Sequence, residues 1–287
     1  QVIPLTAMTV RPVLAAFALA AAFWGSIGGA QAGCTITDSG AGSIIQSNLA
    51  LQGVGINLDG ANSVGTLAGT ASGSFVTSFL FVNSTNLTIG TVDGLSGVTT
   101  TNGGIDIATA SNDIVADEMV TAGANRDIAI VAEDDVTVNA AISASGTGDI
   151  TIIAEPTIGG SGTITTNAGG TITAEEGDIR LEAMDNVNVN DAVSVTAGTG
   201  SIAGIAEATT GFSASAGDFT SAGLGTLATF GGDISIQAGD DITVGAAISA
   251  AAAGPAIINA DAALDGISDL TNPAAGPTPT PGWNVTT

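Results

Sequence analysis

Two stretches of the chain decide its fold, because they are near copies of each other. Residues 126–148 read RDIAIVAEDDVTVNAAISASGTG, and residues 232–254 read GDISIQAGDDITVGAAISAAAAG. Fourteen of these 23 positions are identical without a gap. Self-similarity at a period of about 20–50 residues is the sequence signature of stacked-repeat architectures. We therefore expect a repeat protein.

Further copies lie between these two stretches. A third copy starts at Gly177 and a partial fourth at Gly148. Similar Gly-Ser and Gly-Asp steps at Gly200 and Gly217 predict two more coil starts. With Gly217 left aside, adjacent starts are about 22 to 32 residues apart, which is within the range of solenoid periods.

Inside one copy the apolar residues alternate with polar or small ones. From Ile128 to Ala144 every second residue is apolar, with a single break at Asp134. A period of two indicates strands with one buried face, and the wealth of Gly, Thr, Asn and β-branched residues disfavours helix. Such short strands bury their faces only when coils stack on one another. The sequence therefore predicts an all-β fold, a right-handed parallel β-helix of about ten coils and roughly 50 Å, with an antiparallel β-sandwich as the competing fold.

The Gly-Asp and Asp-Asp steps are predicted to be the corners of the coils. There Gly would take a positive φ, and Asp would bond its own local backbone. Two Thr-x-Thr pairs, 163–165 and 171–173, are only eight residues apart. Eight residues cannot form one coil, so we expect these pairs not to stack in register, and ordinary strand propensity accounts for them.

The composition changes along the chain and predicts four regions. Residues near the N-terminus read as an export signal, the region after it is rich in Ser, Asn and Leu, and the end is rich in Pro. The predicted regions are upstream residues plus a signal peptide (1–32), an irregular N-terminal cap (33–103), β-helix repeats (104–271) with an irregular insertion (203–231), and an extended Pro-rich linker (272–287).

Residues 8–32 have the three parts of a secretory signal. Arg11 supplies the positive charge, residues 13–24 are apolar, and Ala30-Gln31-Ala32 is a small-residue cleavage site. A retained membrane anchor is one alternative, and a lipoprotein signal acylated at Cys34 is another. The signal predicts a protein on the outer-membrane surface or outside the cell, which meets the membrane only through its export.

The charge balance excludes several functions. The chain has 27 acidic residues and three basic ones, no His, and a formal net charge of -24. Three arginines cannot neutralise a run of phosphates, so we expect no binding of nucleic acid. Without His there is no Ser-His or Cys-His nucleophile pair and no His-rich zinc site.

The repeat elements resemble those of a known class of proteins. The G-D-I-x-I-x-A and A-A-I-S-A elements, over roughly residues 104–254, resemble the β-helical shafts of filamentous haemagglutinin-like adhesins and autotransporter passengers. The resemblance implies a secreted or surface-displayed rod that adheres to host or matrix glycans and proteins, or to neighbouring copies. Two departures are the lack of an Asn-Pro-Asn-Gly motif and of the aromatic-rich strands of a transporter barrel.

The sequence favours a structural or adhesive protein without catalytic activity. The rival function is that of a polysaccharide-cleaving lyase or hydrolase, since β-helical enzymes use clustered carboxylates. Its candidate catalytic acids are those nearest Arg126 and Arg180, namely Asp134, Asp135, Asp178 and Asp185.

Two kinds of binding site are candidates. We expect no cofactor, although the oxygens of the repeated acid pairs suit a hard cation such as calcium. The weak calcium candidates are Asp134, Asp135, Asp240 and Asp241. The candidate binding patch on the insertion consists of Phe212, Phe219 and Phe230.

Overall fold

The protein is a right-handed parallel β-helix, as predicted. The computed structural model describes residues 35–38, 42–156, 161–206, 217–239 and 242–250, and the backbone of two further strands at 256–260 and 284–286. The predicted signal peptide and Cys34 lie outside the described residues. Among the residues that are described, no helix is long and apolar enough to cross a membrane.

Each regular coil has three strands, which form three faces of the rod. Face 1 consists of Thr35–Thr37, Thr77–Asn83, Gly104–Thr109, Ile128–Ala132, Ile150–Ala154, Ile179–Ala183, Ile202–Ala206, Ile234–Ala238, Ala256–Ala260 and Asn284–Thr286. Face 2 consists of Leu87–Ile89, Ile114–Ala116, Val136–Val138, Ile164–Thr166, Val187–Val189, Phe219–Ser221 and Ile242–Val244. Face 3 consists of Val98–Thr100, Val120–Ala122, Ile142–Ala144, Ile172–Ala174, Val193–Val195, Leu227–Thr229 and Ile248–Ala250.

The strands of each face pair in parallel with the same face of the next coil. Ile128 faces Ile150, for example, and Val136 faces Ile164. Residues that are alike in sequence thus stack on each other, and the inward positions form one continuous apolar core. This stacking is how a solenoid buries strands that are too short to be stable alone.

One predicted coil start is wrong. Gly217 does not open a new coil, because Phe219 begins a face 2 strand that pairs with Val187 and Ile242. The coil that starts at face 1 with Ile202 is therefore a long one, and its extra residues fall between face 1 and face 2. The insertion predicted at 203–231 is in this way confined to a corner, part of which lies outside the described residues.

The region predicted as an irregular cap contains strands of the same solenoid. One long strand, Gly55–Ala71, passes through all three faces and pairs in parallel with Ile45–Gly53 before it and with strands of the following coil. The only antiparallel pair among the described strands is a small hairpin of Thr91–Val92 and Leu95–Ser96, inserted between face 2 and face 3. Its turn residues, Asp93 and Gly94, both have a positive φ.

The last described strand falls within the predicted linker. Residues 284–286 pair in parallel with residues 257–259 and so extend face 1. The remainder of the Pro-rich region lies outside the described residues.

Large side chains in the core are matched by glycines beside them. Phe219 is fully buried, and a Cβ added to Gly204 would lie 2.5 Å from its ring atom Cε2. Phe79 and Gly69 have the same relation, with a separation of 2.4 Å. The core is otherwise filled mainly by Ile, Val, Leu and Ala, and these two rings occupy the space that the neighbouring glycine leaves open.

Candidate functional site

The acidic residues of the described coils are concentrated at the corners between faces. We call the corner before face 1 the Gly-Asp corner; its last position is occupied by Asp127, Asp149, Asp178, Ser201 and Asp233 in successive coils. We call the corner before face 2 the Asp-Asp corner; its last position is occupied by Asp113, Asp135, Thr163, Asn186 and Asp218.

At the Gly-Asp corner the side chains cap the backbone of the neighbouring coil. Asp127 accepts a hydrogen bond from the backbone N–H of Asp149 at 3.0 Å, and Asp149 accepts one from Asp178 at 2.8 Å. Asp178 accepts one from Ser201 at 2.7 Å, and the Ser201 hydroxyl accepts one from Asp233 at 3.1 Å. The prediction that these acids bond their own local backbone is therefore wrong, because the N–H they satisfy belongs to the next coil.

The Asp-Asp corner has a similar ladder. Asp113 accepts a hydrogen bond from the N–H of Asp135 at 3.3 Å, and Asp135 accepts one from Thr163 at 2.8 Å. One coil further, Asn186 accepts one from Asp218 at 2.9 Å. Asp and Asn serve equally here, since both offer a side-chain oxygen at the same distance from the backbone.

The ladder predicts the effect of replacing Asp149. We expect Asp149→Ala to lower the free energy of unfolding by about 1 kcal/mol relative to Asp149→Asn, because only the alanine removes the oxygen that accepts from Asp178. Both variants remove the same charge, so their difference isolates the hydrogen bond. Urea unfolding of the two proteins measures it, and equal stabilities would contradict the capping role.

Three carboxylates converge at the Asp-Asp corner. Ligand oxygens of Asp113, Asp134 and Asp135 all lie within 4.8 Å of one another. Asp113 was not among the predicted site residues, although the sequence held a signal: Asn112-Asp113-Ile114 stands in residues 104–122 where Asp134-Asp135-Val136 stands in the next copy. The second predicted pair, Asp240 and Asp241, lies outside the described residues.

This cluster fits calcium only in part. Calcium prefers about six to eight oxygen ligands, and three carboxylates supply at most six. Asp113 and Asp135 each already accept a backbone hydrogen bond. The chemistry of the donor set suits a hard cation, while the hydrogen bonds show that these acids also have a structural task.

Desolvation and neighbouring carboxylates raise the pKa values of two acids at this corner. The pKa of Asp134 is raised by partial desolvation and by the carboxylates of Asp135, Asp113 and Glu155. The pKa of Asp185 is raised by burial and by Asp218 and Asp135. These carboxyls therefore hold a proton more tightly in the folded chain than in the unfolded one.

We expect Asp134→Asn to raise the melting temperature at neutral pH, because it removes a charge that its neighbours repel. A raised folded pKa means that stability increases as the pH falls towards the ordinary aspartate value of 3.8. The gain from the substitution should therefore shrink at low pH, and also in high salt, since Asp134 is exposed. Asp93→Asn, at the hairpin tip, is the control for loss of one charge away from the cluster. An equal gain from the control would contradict the local origin of the effect.

The four acids of the enzymatic hypothesis are divided between two corners. Asp134, Asp135 and Asp185 belong to the Asp-Asp corner, and Asp178 belongs to the Gly-Asp corner at the other end of the face 1 strands. Five residues of strand separate the two corners, which is roughly 17 Å. Asp178 cannot act together with the other three on one bond.

The arginines do not join the carboxylate cluster. Arg180 projects from face 1 and donates a hydrogen bond from Nε to Glu182 at 2.7 Å, forming an ion pair at the surface. It borders a shallow depression of about 310 Å³ whose polar lining includes Asp149, Asp178 and Ser201. Arg126 lies beside Asp127 at the Gly-Asp corner.

The candidate aromatic patch is not a patch in the described structure. Phe219 is fully buried and Phe230 is 56% exposed, while Phe212 lies outside the described residues. Phe219 belongs to the core of face 2 and is inaccessible to a partner. A period-two reading of residues 219–221 predicts this burial, since Phe219 stands where Val187 and Ile242 stand in adjacent coils.

Comparisons with known proteins place the chain in no family. A scan against protein-family models, a search of curated proteins and a search of solved structures each returned no match. The class that the fold defines is that of a β-helical repeat protein.

Proposed function

We propose that the protein is a structural or adhesive rod, exported to the cell surface or its surroundings, without catalytic activity. The observation that carries the proposal is the use of its acids. In the described coils the carboxylates of Asp113, Asp127, Asp135, Asp149 and Asp178 all accept backbone hydrogen bonds from the next coil. Their spacing along the rod is thus explained by the architecture.

The export signal and the resemblance of the repeats to those of known surface proteins support the proposed location of the protein. Residues 8–32 have the pattern of a cleaved signal peptide. The repeats resemble the shafts of filamentous haemagglutinin-like adhesins and autotransporter passengers, which project from the cell. A net charge of -24 keeps the rod soluble. The proposed partners are matrix or host glycans and proteins, or other copies of the chain.

Two measurements test this proposal. Mass spectrometry of the protein from its native host should find Gly33 as the first residue outside the cell. A chain found inside the cell with residues 8–32 still attached would overturn the export, and a lipidated Cys34 would replace a free rod with an anchored one. Purified chain incubated with acidic and neutral polysaccharides, with and without calcium, should release no reducing ends and no unsaturated products.

The enzymatic alternative has one observation in its favour. Asp134 and Asp185 have raised pKa values beside other carboxylates, which is the arrangement of a general acid next to an ionised partner. Turnover that is lost in Asp134→Asn or Asp185→Asn protein, and kept in Asp93→Asn protein, would establish that alternative and overturn the proposal.

A further inference from the structure

Face 2 and face 3 each present one column of outward-pointing residues. In the three-residue strands of these two faces the first and third side chains point into the core, where all but Ala250 are buried, and only the middle one points outward. On face 2 the column is Thr66, Thr88, Val115, Thr137, Thr165, Asn188, Thr220 and Thr243. On face 3 it is Thr70, Thr99, Thr121, Ser143, Thr173, Ser194, Ala228 and Ser249.

The two Thr-x-Thr pairs do not stack on each other, as expected, but each contributes to a ladder of its own. Thr165 and Thr173 belong to different faces of one coil, and each stacks in register on the coils before and after it. On face 3 the hydroxyl oxygens of Thr121 and Ser143 are 3.3 Å apart, and those of Thr173 and Ser194 are 3.4 Å apart. The two pairs are close in sequence, which does not reveal that they belong to two separate ladders.

The variable parts of the chain leave both columns uninterrupted. Residues 155–163 and 207–218 connect face 1 strands to face 2 strands, and the hairpin at 91–96 connects face 2 to face 3, so both columns keep their register in the described strands. Strand register therefore repeats from coil to coil at about 4.8 Å. Over eight coils each column is roughly 34 Å long.

The charge pattern distinguishes these two faces from the third. No position of either column is charged, in a chain with 27 acidic residues. The outward positions of face 1, by contrast, include Asp106, Arg180 and Glu182. Strand propensity favours Thr on every face alike, so it does not explain why only face 2 and face 3 exclude charge.

A single column suits a linear partner. A two-dimensional lattice would need at least two parallel columns in one plane, and each of these strands offers one residue. Every Thr or Ser hydroxyl carries one donor and two acceptor sites, which pair with the hydroxyls of a sugar. The corners on both sides of face 2 bear carboxylates, including Asp113 and Asp117, so an anionic polymer is repelled.

We propose that face 2 binds an uncharged polysaccharide strand that lies along the rod axis. The inference rests on the proposed function and names the partner of the rod. Each contact is weak, and affinity comes from the repetition of the same contact along the strand. The absence of aromatic residues from both columns means that hydrogen bonds, rather than ring stacking, would carry the binding.

The experiment removes hydroxyls without changing shape. A variant with Thr88, Thr137, Thr165 and Thr220 all replaced by Val retains strand propensity, and Val115 already shows that the column accepts this residue. The matched control is Thr151→Val with Ser235→Val, two outward positions on face 1. Circular dichroism and melting establish that all three proteins are folded before binding is compared.

Binding is measured by sedimentation with insoluble cellulose, chitin and β-1,3-glucan, at low and high salt. We expect the unmodified chain and the control to bind at least one of these neutral polymers at both salt concentrations. The four-valine variant should bind at least about tenfold more weakly, from the loss of several hydrogen bonds.

Several results would overturn the inference. These are no binding to any of the three neutral polymers, binding that disappears in high salt, and equal binding by the four-valine variant. A chain that is found outside the cell but binds no neutral polymer refutes this inference alone. A chain that stays inside the cell refutes the proposed function, whatever it binds.

Discussion

Phe219→Ala should lower the free energy of unfolding by about 3–5 kcal/mol, because it leaves a cavity in a fully buried layer of the core. Phe219 is fully buried, and its ring fills the space that the absent side chain of Gly204 leaves open. Leu181 and Ile236 stand beside Gly204 in the adjacent coils, so the neighbouring core cannot collapse into the cavity without shifting their strands. Thermal or urea unfolding measures the loss.

Two further variants test the complementarity between the ring and the glycine. Phe230→Ala, at a position that is 56% exposed, should change stability by no more than about 0.5 kcal/mol. Gly204→Leu should be destabilising alone, since its Cβ would lie 2.5 Å from the ring, but should recover part of the stability of Phe219→Ala. If the two losses of stability simply added in the double variant, the Phe219 ring and a side chain at residue 204 would not occupy the same space.

Asn83→Ala should cost roughly 3 kcal/mol or more, because it leaves buried backbone groups without partners. The Asn83 side chain is fully buried, accepts from the N–H of Val64 at 2.9 Å and donates to its carbonyl at 3.0 Å. It also donates to the carbonyl of Thr85 at 2.8 Å. Val64 is fully buried, so its backbone groups cannot reach water when the asparagine is removed.

The neighbouring exposed asparagine is the control for this prediction. Asn86→Ala removes the same type of side chain from the surface, three residues away, and should change stability by about 0.5 kcal/mol or less. Urea denaturation of both proteins gives the comparison. If Asn83→Ala lowered stability no more than Asn86→Ala does, the Asn83 side chain would not be the hydrogen-bond partner that the backbone of Val64 requires.

The repeat could be predicted from the sequence because several similar copies of it occur in the chain. Ile128 and Ile150 stack in the structure as their positions in the copies require. The corner acids were also located correctly, since Gly-Asp steps recur at fixed places. What they bond was not predictable, because a side chain that reaches the next coil depends on a coil spacing that local turn rules do not contain.

The coil starts could be predicted only where the copies are similar. Gly217-Asp218 has the composition of a coil start but precedes a face 2 strand. Identical dipeptides open both face 1 and face 2 strands, since each corner needs an oxygen at the same place. Pairing across coils, which connects Phe219 to Val187, is what assigns the strand to its face.

The acid cluster was predicted in part. Asp134 and Asp135 are adjacent in sequence, so their proximity required no fold. Asp113 comes from the coil before and enters the cluster only through the pairing of Ile114 with Val136. The separation of Asp178 from the other acids likewise follows from the strand that lies between two corners.

The sequence by itself determined the class of fold, because a period of two within a period of about 22 residues leaves few ways to bury the apolar face. Only the tertiary structure decided which polar residues act together. The ladders along face 2 and face 3 join residues that are 21 to 34 positions apart, such as Ser194 and Ala228. Coils of unequal length hide that relation in the sequence, and parallel strand pairing restores it because backbone hydrogen bonds fix the register wherever the extra residues are placed at the corners.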